Sequence, residues 1–260
     1  MRRMLFCTWS SAEFGHERAA SCTINGRYMT DEVTAIAKAV EEIAKATGKS
    51  IDAIKIFGGF IAEYTRAPFK AGFGIVADKL MYMRWERQQR LLIRAKHFLE
   101  QAGLDGPTRA VPMNFAIALI EAASLEENDD LQDLWATMLV NAANAESPTD
   151  RRRAYISILE QLTSLDALIL SKIYSLPTGD SAGRAAITVG LPASVRLSTD
   201  TDDFNSLQQP SAEVMLSLAN LVRIGCIDAE ENWGGEKDYR HAYRNILGSA
   251  FVESVTLQKP

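Results

Sequence analysis

The sequence of 260 residues is poor in the features that mark secreted, metal-binding or membrane-spanning proteins. It has only three cysteines, Cys7, Cys22 and Cys226, and none of them has the spacing of a metal-ligand pair. An odd and sparse set of cysteines is typical of a reducing compartment, where the thiols stay free. No apolar run approaches the ~20 residues that a membrane-spanning helix needs. We therefore expect a cytoplasmic protein.

Common catalytic and nucleotide-binding motifs are also missing. The sequence has no GxxxxGK[ST] phosphate loop, no GxGxxG motif after a strand, no HExxH and no GxSxG. It contains only three histidines, so a histidine-based catalytic centre has few candidates. We predict a protein that is not an enzyme and that uses no cofactor and no metal.

The first 28 residues differ from the rest, because they are polar and mixed without a helical or strand period. The apolar core near Met4 ends well short of the ~7–15 residues of a signal peptide. A clear helix begins after Thr30, a candidate N-cap that is followed by two acids. We interpret residues 1–28 as a disordered tail, or as an extension that precedes a natural start at Met29.

What is present is the composition of an ordinary soluble globular protein, with 47% hydrophobic and 23% charged residues. A formal net charge of -5 disfavours attraction of the whole protein to nucleic acid or anionic lipid, although a local basic patch can still act. The patterns predict a mainly α protein, a multi-helix bundle with a small C-terminal winged-helix-like (α+β) region. The predicted divisions are an N-terminal helical region (29–103), a central helical bundle (108–176), a long loop (177–210) and the winged-helix-like region (211–260).

The clearest helical pattern lies in the middle of the chain. Apolar residues recur there at intervals of three and four, at Leu131, Leu134, Trp135, Met138, Leu139 and Ala142. That spacing places them on one stripe of a helix, which has to be buried against its neighbours. The preceding stretch from Pro112 to Ser124 is apolar nearly all round, so we expect it to be the buried helix of the bundle.

A segment rich in glycine and phenylalanine precedes this region, at residues 54–77. Its glycines are consistent with close packing of helices in a core. The alternative is an amphipathic hairpin that contacts a membrane or a partner. The candidate apolar contact residues are Phe57, Phe60, Ile61, Phe69 and Phe73.

Arginines form a basic stripe on the next predicted helix. They are spaced by three, three and four residues, at Arg84, Arg87, Arg90 and Arg94. Such a stripe is either a solvated helix face or a binding surface for an anionic partner such as lipid headgroups, nucleic acid or an acidic protein. Both interpretations stay open from the sequence.

Two further charged clusters flank the central helix. Acids gather at residues 126–133, where they suit a helix N-terminus, and catalysis or metal binding by them is disfavoured. Downstream, Pro148–Asp150 predicts a helix start, which would place Arg151, Arg152 and Arg153 in the first turn against the helix dipole. We expect the acidic cluster to offset these arginines. The alternative is an external anion such as phosphate.

The C-terminal quarter has the order of a winged helix-turn-helix, with a helix, a loop, a helix and a strand-turn-strand. A short strand is expected around Ala185–Val189 within the long loop. The candidate recognition helix, Ser211–Arg223, carries only Glu213 and Arg223 as charges, which suits phosphate contacts poorly. Packing or protein contact therefore fits this region better than DNA reading.

The middle of the chain resembles the Abi-alpha (abortive infection alpha) family of bacterial proteins. The runs that carry the resemblance are 120–127 (IEAASLEE) and 131–139 (LQDLWATML), followed by Ile156, Leu159, Leu162 and Leu165. Residues 35–103, 217–225 and 247–252 are similar as well. The resemblance implies a helical protein tied to phage defence. It brings no catalytic residues, because it rests on packing positions.

From this resemblance we expect a non-enzymatic anti-phage protein of abortive-infection type that impairs or kills the infected cell. It would act at the inner surface of the membrane through residues 54–94. The alternative is a winged-helix regulator or adaptor that binds nucleic acid or another defence protein. A protein partner or a homo-oligomer is compatible with either function, and nucleic acid is the less favoured partner.

Overall fold

The computed structural model describes residues 75–177, 185–202, 206–231 and 234–258, with side chains of the first helix described from Leu80 onward. This part of the chain is mainly helical, as predicted, with a small four-stranded antiparallel sheet near its C-terminal end. The helices are α1 (Ile75–Gln101), α2 (Met113–Ala123), α3 (Asp129–Ala143), α4 (Arg153–Leu159), α5 (Ser164–Tyr174), α6 (Ala212–Arg223) and α7 (Ile246–Val255). The strands are β1 (Ala186–Ile187), β2 (Arg196–Leu197), β3 (Ile227–Glu231) and β4 (Lys237–Arg244).

Helix α3 is the centre of the packing, and it contacts α1, α2, α5 and α7. Its stripe of large apolar residues is closed to solvent, with Trp135 at 1% exposure and Leu139 at 0%. Burying a side chain of this size contributes about 1.5–3 kcal/mol relative to leaving it in water. The spacing of three and four residues is thus the reason that these four helices gather around α3.

Two polar residues of α3, Gln132 and Asn141, are buried too, and the side chain of each donates to carbonyls at the end of a neighbouring helix. The amide of Gln132 donates to the carbonyl oxygens of Ala123 (2.7 Å) and Glu126 (3.0 Å), where α2 ends. The amide of Asn141 donates to the carbonyls of Ser254 (3.0 Å) and Thr256 (2.8 Å) at the end of α7. These bonds satisfy backbone groups that helix ends leave open. They attach α2 and α7 to α3.

Helix α2 is less completely buried than the sequence predicts. Phe115, Leu119 and Ile120 face the core, but Met113 is 58% exposed. The more enclosed helix is α3, because it has neighbours on several sides. An apolar composition all round is therefore not enough to identify the innermost helix.

The sheet is built around β4, in the order β2–β1–β4–β3 with antiparallel neighbours. Strand β1 confirms the short strand expected around residues 185–189. Strand β2 was not anticipated and lies in the segment interpreted as a long loop. Ala186 is opposite Leu197 on one side and Ala242 on the other, so β1 joins the loop segment to the β3–β4 hairpin.

Helix α7 is fixed to the hairpin by a close backbone approach. The Tyr174 hydroxyl of α5 donates to the Cys226 carbonyl (2.7 Å) and accepts from the Asn245 amide (3.1 Å). Gly248 lies directly against this joint, since a Cβ built there would be only 1.9 Å from the Cys226 carbonyl oxygen. Glycine is required at this position because any side chain would collide with the joint.

Helix α4 begins later than the sequence predicts. It starts at Arg153, and its N-cap Arg152 makes no side-chain capping bond. The expected cap residues are engaged elsewhere: the Thr149 hydroxyl bonds the Ser147 hydroxyl at 2.6 Å, and Asp150 accepts from Arg152. Arg151 and Arg152 consequently precede the helix instead of lying in its first turn.

Candidate functional site

The arginine stripe of α1 lies against the loop that joins α2 to α3. Arg87 pairs with the Glu127 carboxylate and donates to the Leu125 carbonyl at 3.3 Å. Its side chain is only 11% exposed. Arg84 donates from Nε to the Ser124 hydroxyl at 3.2 Å. The N-terminal half of the stripe is therefore bonded to the end of α2.

The C-terminal half of the stripe bonds the start of α3. Arg94 pairs with Asp133 and, at 2.6 Å, with Asp129. Arg90 is 3.6 Å from the same Asp129 carboxylate and 3.8 Å from Glu86. Two aspartates of one helix thus meet two arginines of another in a small ion-pair network.

Local sequence explains why the acids point toward α1. The Asn128 side chain caps α3 by accepting from the amides of Asp130 (2.9 Å) and Leu131 (3.1 Å). The Glu126 carboxylate accepts from the amides of Glu127 (2.9 Å) and Asn128 (2.8 Å). These bonds fix the turn between α2 and α3 and leave the other acids beside the stripe.

The prediction that the acidic cluster offsets Arg151–Arg153 is wrong. In the part of the chain that the structure describes, the ion pairs of these acids go to the arginines of α1. The reason is that α1 packs directly on α3 and brings its own arginines to these acids, whereas Arg151 bonds the Ala110 carbonyl and Arg152 pairs with Asp150. The arginines of the stripe are thus paired with acids of the same chain.

The Arg151–Arg153 triplet splits into three different environments. Arg151 donates to the Ala110 carbonyl at 3.4 Å, and Arg152 pairs with Asp150 at 2.6 Å. Neighbouring Arg109, which the sequence reading missed, donates to the carbonyls of Asn141 (3.1 Å) and Ala142 (3.2 Å) at the end of α3. Burial and then the charge of Arg151 lower the pKa of Arg109.

Arg153 is exposed, and its side chain makes no hydrogen bond or ion pair with any residue of the described ranges. It lies instead in a groove of about 530 Å³ together with Arg84. We call this the Arg84–Arg153 groove. The groove is lined by Arg84, Ala118, Glu121, Ala122, Leu125, Arg153, Ala154, Ile156, Ser157 and Glu160.

The charges of the Arg84–Arg153 groove are mixed. Two guanidinium groups share it with the carboxylates of Glu121 and Glu160, and exposed Leu125 adds an apolar surface. A surface of this kind complements a partner that carries both signs of charge and an apolar group. The sequence marked both arginines as candidates. It could not show that they meet, because they belong to separate clusters far apart in the chain.

The β3–β4 hairpin carries five acids against three bases. Its basic side chains are engaged, since Lys237 pairs with Glu231 and Arg240 with Asp238. Arg244 donates to the carbonyls of Leu176 (2.8 Å) and Pro177 (3.0 Å). The hydrogen bond from Arg240 lowers the pKa of Asp238 to about 2. This hairpin offers little positive charge to a phosphate backbone.

Helix α6 has one buried and one exposed face. Val214, Leu218 and Leu221 enter the core, whereas Leu216 is 74% exposed. Beside Leu216 runs a second groove of about 480 Å³, which we call the α5–α6 groove. It is lined by Thr163, Ser164, Leu165, Asp166, Glu213, Leu216, Ser217 and Asn220.

The remaining candidates lie outside the described residues. They are the apolar contact residues Phe57, Phe60, Ile61, Phe69 and Phe73, together with the N-terminal 28 residues. Within the described ranges, no helix has the length and apolar character to cross a membrane. The same ranges hold no group of three or more histidine, cysteine or acidic side chains placed to bind a metal ion.

Comparison with protein families matches residues 86–257 to the family described as Abortive infection alpha. The matched range covers well over half of the chain. The chain belongs to the Abortive infection alpha family. The family match extends from α1 to the end of α7. It therefore includes the ion pairs that Arg87, Arg90 and Arg94 make with the acids of residues 126–133. Arg153 lies inside the matched range, and Arg84 lies just before it.

The Abortive infection alpha match does not reach residues 54–77, the segment proposed from the sequence as a membrane contact. A search of curated proteins and a search of solved structures find no match to the chain. The family assignment and the geometry of the described residues are therefore the basis for inferring function.

Proposed function

We propose that this chain is a non-enzymatic phage-defence protein of abortive-infection type, and that it acts by binding another protein at the Arg84–Arg153 groove. The observation that carries the proposal is the environment of Arg153. It is exposed, it bonds no residue of the described ranges, and it shares a groove with a second arginine and two glutamates. The family match supplies the link to abortive infection.

Binding is favoured over catalysis because the strongest cluster of acids has a structural explanation. Glu127, Asp129 and Asp133 are paired with the stripe arginines, and Glu126 accepts from two backbone amides. Carboxylates held this way stabilise the contact between α1 and α3. A role for them in metal binding would require breaking those pairs.

A protein partner is favoured over a membrane surface for the same electrostatic reason. Anionic headgroups attract clusters of cations, at about 1 kcal/mol for each basic residue near the surface. The positive charge of Arg87, Arg90 and Arg94 is offset by three acids, and Glu121 and Glu160 offset the groove arginines. Peripheral membrane contact through residues 54–94 remains the second candidate, since its apolar part lies outside the described residues.

We also propose a winged-helix arrangement for the C-terminal part, which would suit an adaptor function. Helix α5, strands β1 and β2, helix α6 and the β3–β4 hairpin follow in this order, and β1 pairs with the second hairpin strand. That is the order expected of a winged helix. The acidic hairpin and the exposed Leu216 on α6 suit contact with protein better than contact with nucleic acid.

The test is phage protection by the full chain expressed in a bacterium. We expect the Arg84→Glu/Arg153→Glu variant to lose protection, because it reverses both cations of the groove. Arg152→Glu is the matched control: it changes the same residue type next to Arg153 but lies outside the groove lining, and it should protect like the unaltered chain. Full protection by the double variant would contradict the proposal.

Single-cell membrane potential during infection separates the two candidates. A protein-binding function predicts that infected cells keep their potential until growth stops. Depolarisation before growth stops, abolished by Phe57→Asp/Phe60→Asp but not by Arg84→Glu/Arg153→Glu, would reject the groove and support membrane contact.

A further inference from the structure

The exposed face of α6 has a charge order that is complementary to itself. Glu213 lies near the N-terminal end, Arg223 is the last residue, and Leu216 and Asn220 lie between them. At 100° per residue these four positions fall within about 80° of arc, so they form one narrow face. The Glu213 side chain has no hydrogen bond or ion pair with any described residue.

We propose that this face binds the same face of a second copy of the chain, with the two α6 helices antiparallel. With a two-fold axis at the level of Leu218, the two residues that lie opposite each other, one from each copy, have numbers that add up to 436. Glu213 then faces Arg223 of the other copy, and Leu216 faces Asn220. A two-fold interface requires a surface of this kind, because the same patch has to supply both partners.

The apolar part of the contact follows from the same register. With a rise of 1.5 Å per residue, the two Leu216 side chains lie about 6 Å apart along the helix axis. Each can then enter the α5–α6 groove of the other copy, which is lined by Leu165, Ser217 and Asn220. The 74% exposed leucine of one copy thus fills the cleft beside the leucine of the other.

The position of the Arg223 guanidinium is already fixed before any pairing. It donates to the Gln161 side chain at 2.9 Å and to the Asn220 side chain at 2.7 Å from its two terminal nitrogens. Its Nε also donates to Asn220, at 3.2 Å. Of the five N–H groups of a guanidinium, two remain for an incoming carboxylate.

A contact made by one helix face and one groove is small. Interfaces below ~1,200 Å² belong to weak, transient complexes, so we expect a dimer with a Kd in the range of roughly 1–100 μM. This surface is separate from the Arg84–Arg153 groove, so either proposal can fail without the other.

The test is sedimentation equilibrium of the full chain between about 1 and 200 μM, a range chosen to bracket that expected affinity. We expect a monomer–dimer equilibrium that Leu216→Asp shifts to monomer by at least tenfold in Kd. Met113→Asp is the matched control, since Met113 is a similarly exposed apolar residue at 58%, outside the lining of both grooves, and should leave the equilibrium unchanged. A monomer at every concentration would overturn the proposal, as would a dimer that Leu216→Asp leaves intact.

Charge reversal tests the register without depending on a loss of binding. Two copies of the Glu213→Arg variant should repel each other, because like charges then face each other at both ends of the interface. The same holds for two copies of Arg223→Glu, so each variant alone should be monomeric. Mixed in equal amounts, the two variants carry complementary charges at both ends and should form a heterodimer. Since a misfolded variant would not bind on mixing, recovery of a dimer supports the proposed pairing. Failure to recover it, or singles that dimerise normally, overturns the register.

Discussion

The two groups of arginines, on α1 and at residues 151–153, look alike in the sequence but have different environments in the fold. On α1, Arg87 is held by Glu127 of the loop before α3, Arg94 is held by Asp129 and Asp133 in the first turns of α3, and both arginines are mostly covered. At the start of α4, Arg153 is exposed and faces the groove that it shares with Arg84. The same residue type therefore holds two helices together in one place and is available to a partner in the other.

This difference shows that a basic pattern identifies a binding surface only when its counter-charges are known. The stripe is the longer and more regular of the two patterns, and it attracts attention first. Its regularity is explained by packing, because positions three and four residues apart must face α3 together. The less regular group contains Arg153, the arginine that we propose binds another protein.

The largest effect on stability is expected from breaking the stripe. Replacing Arg87 and Arg94 together by Met should lower the free energy of unfolding by about 1–3 kcal/mol, because Glu127 and Asp133 lose their cations and the carbonyls of Ser124, Leu125 and Asp129 lose a donor. Urea unfolding followed by circular dichroism measures the change. A loss below about 0.5 kcal/mol would mean that the stripe is only a solvated face.

A smaller effect on stability tests which arginine pairs with which acid. A double-mutant cycle of Arg94→Ala and Asp133→Ala should give a coupling of about 0.3–1 kcal/mol, the range of partly exposed ion pairs. The same cycle with Arg152 in place of Arg94 should give no coupling, since Arg152 pairs with Asp150. Raising the salt concentration to about 1 M should reduce the first value, because screening weakens exposed pairs.

The smallest effect on stability is expected in the Arg84–Arg153 groove. Arg153→Gln should change the free energy of unfolding by no more than about 0.5 kcal/mol, because the side chain is exposed and bonds no described residue. Thermal unfolding under the conditions used for the stripe variants gives a direct comparison. A loss as large as that of the stripe variant would show that Arg153 is also structural.

Much of the helical fold follows from local sequence. The spacing of Leu131, Trp135 and Leu139 predicts α3 and its buried stripe, and Ser211 predicts the start of α6 through its cap. Local signals of this kind work because they depend on residues within one or two turns. The winged-helix order of the last quarter stays a proposal.

The errors arise where two local signals compete. Asp150 is a good N-cap type, but its carboxylate binds Arg152, and α4 starts later. The helix at Ile246–Val255 was missed, although Asn245 is a suitable cap and accepts from the Gly248 amide at 2.8 Å. That cap was the signal that would have identified α7.

The pairing of charges is the part that local sequence could not supply. The acids at residues 126–133 lie between the two arginine groups in the sequence, and choosing which group they pair with requires knowing that α1 packs on α3. The Arg84–Arg153 groove could not be predicted for the same reason, because α1, α2 and α4 must all be placed before both arginines are seen to line one groove. Contacts of this kind depend on long-range packing.

The central claim is that the Arg84–Arg153 groove serves function while the stripe serves stability. It is tested most directly by measuring phage protection and the urea midpoint for Arg153→Glu and Arg94→Met side by side. We predict that Arg153→Glu unfolds at the midpoint of the unaltered chain but no longer protects. Arg94→Met should unfold at lower urea yet protect at temperatures where it is folded. Protection retained by Arg153→Glu and lost by folded Arg94→Met would contradict the claim.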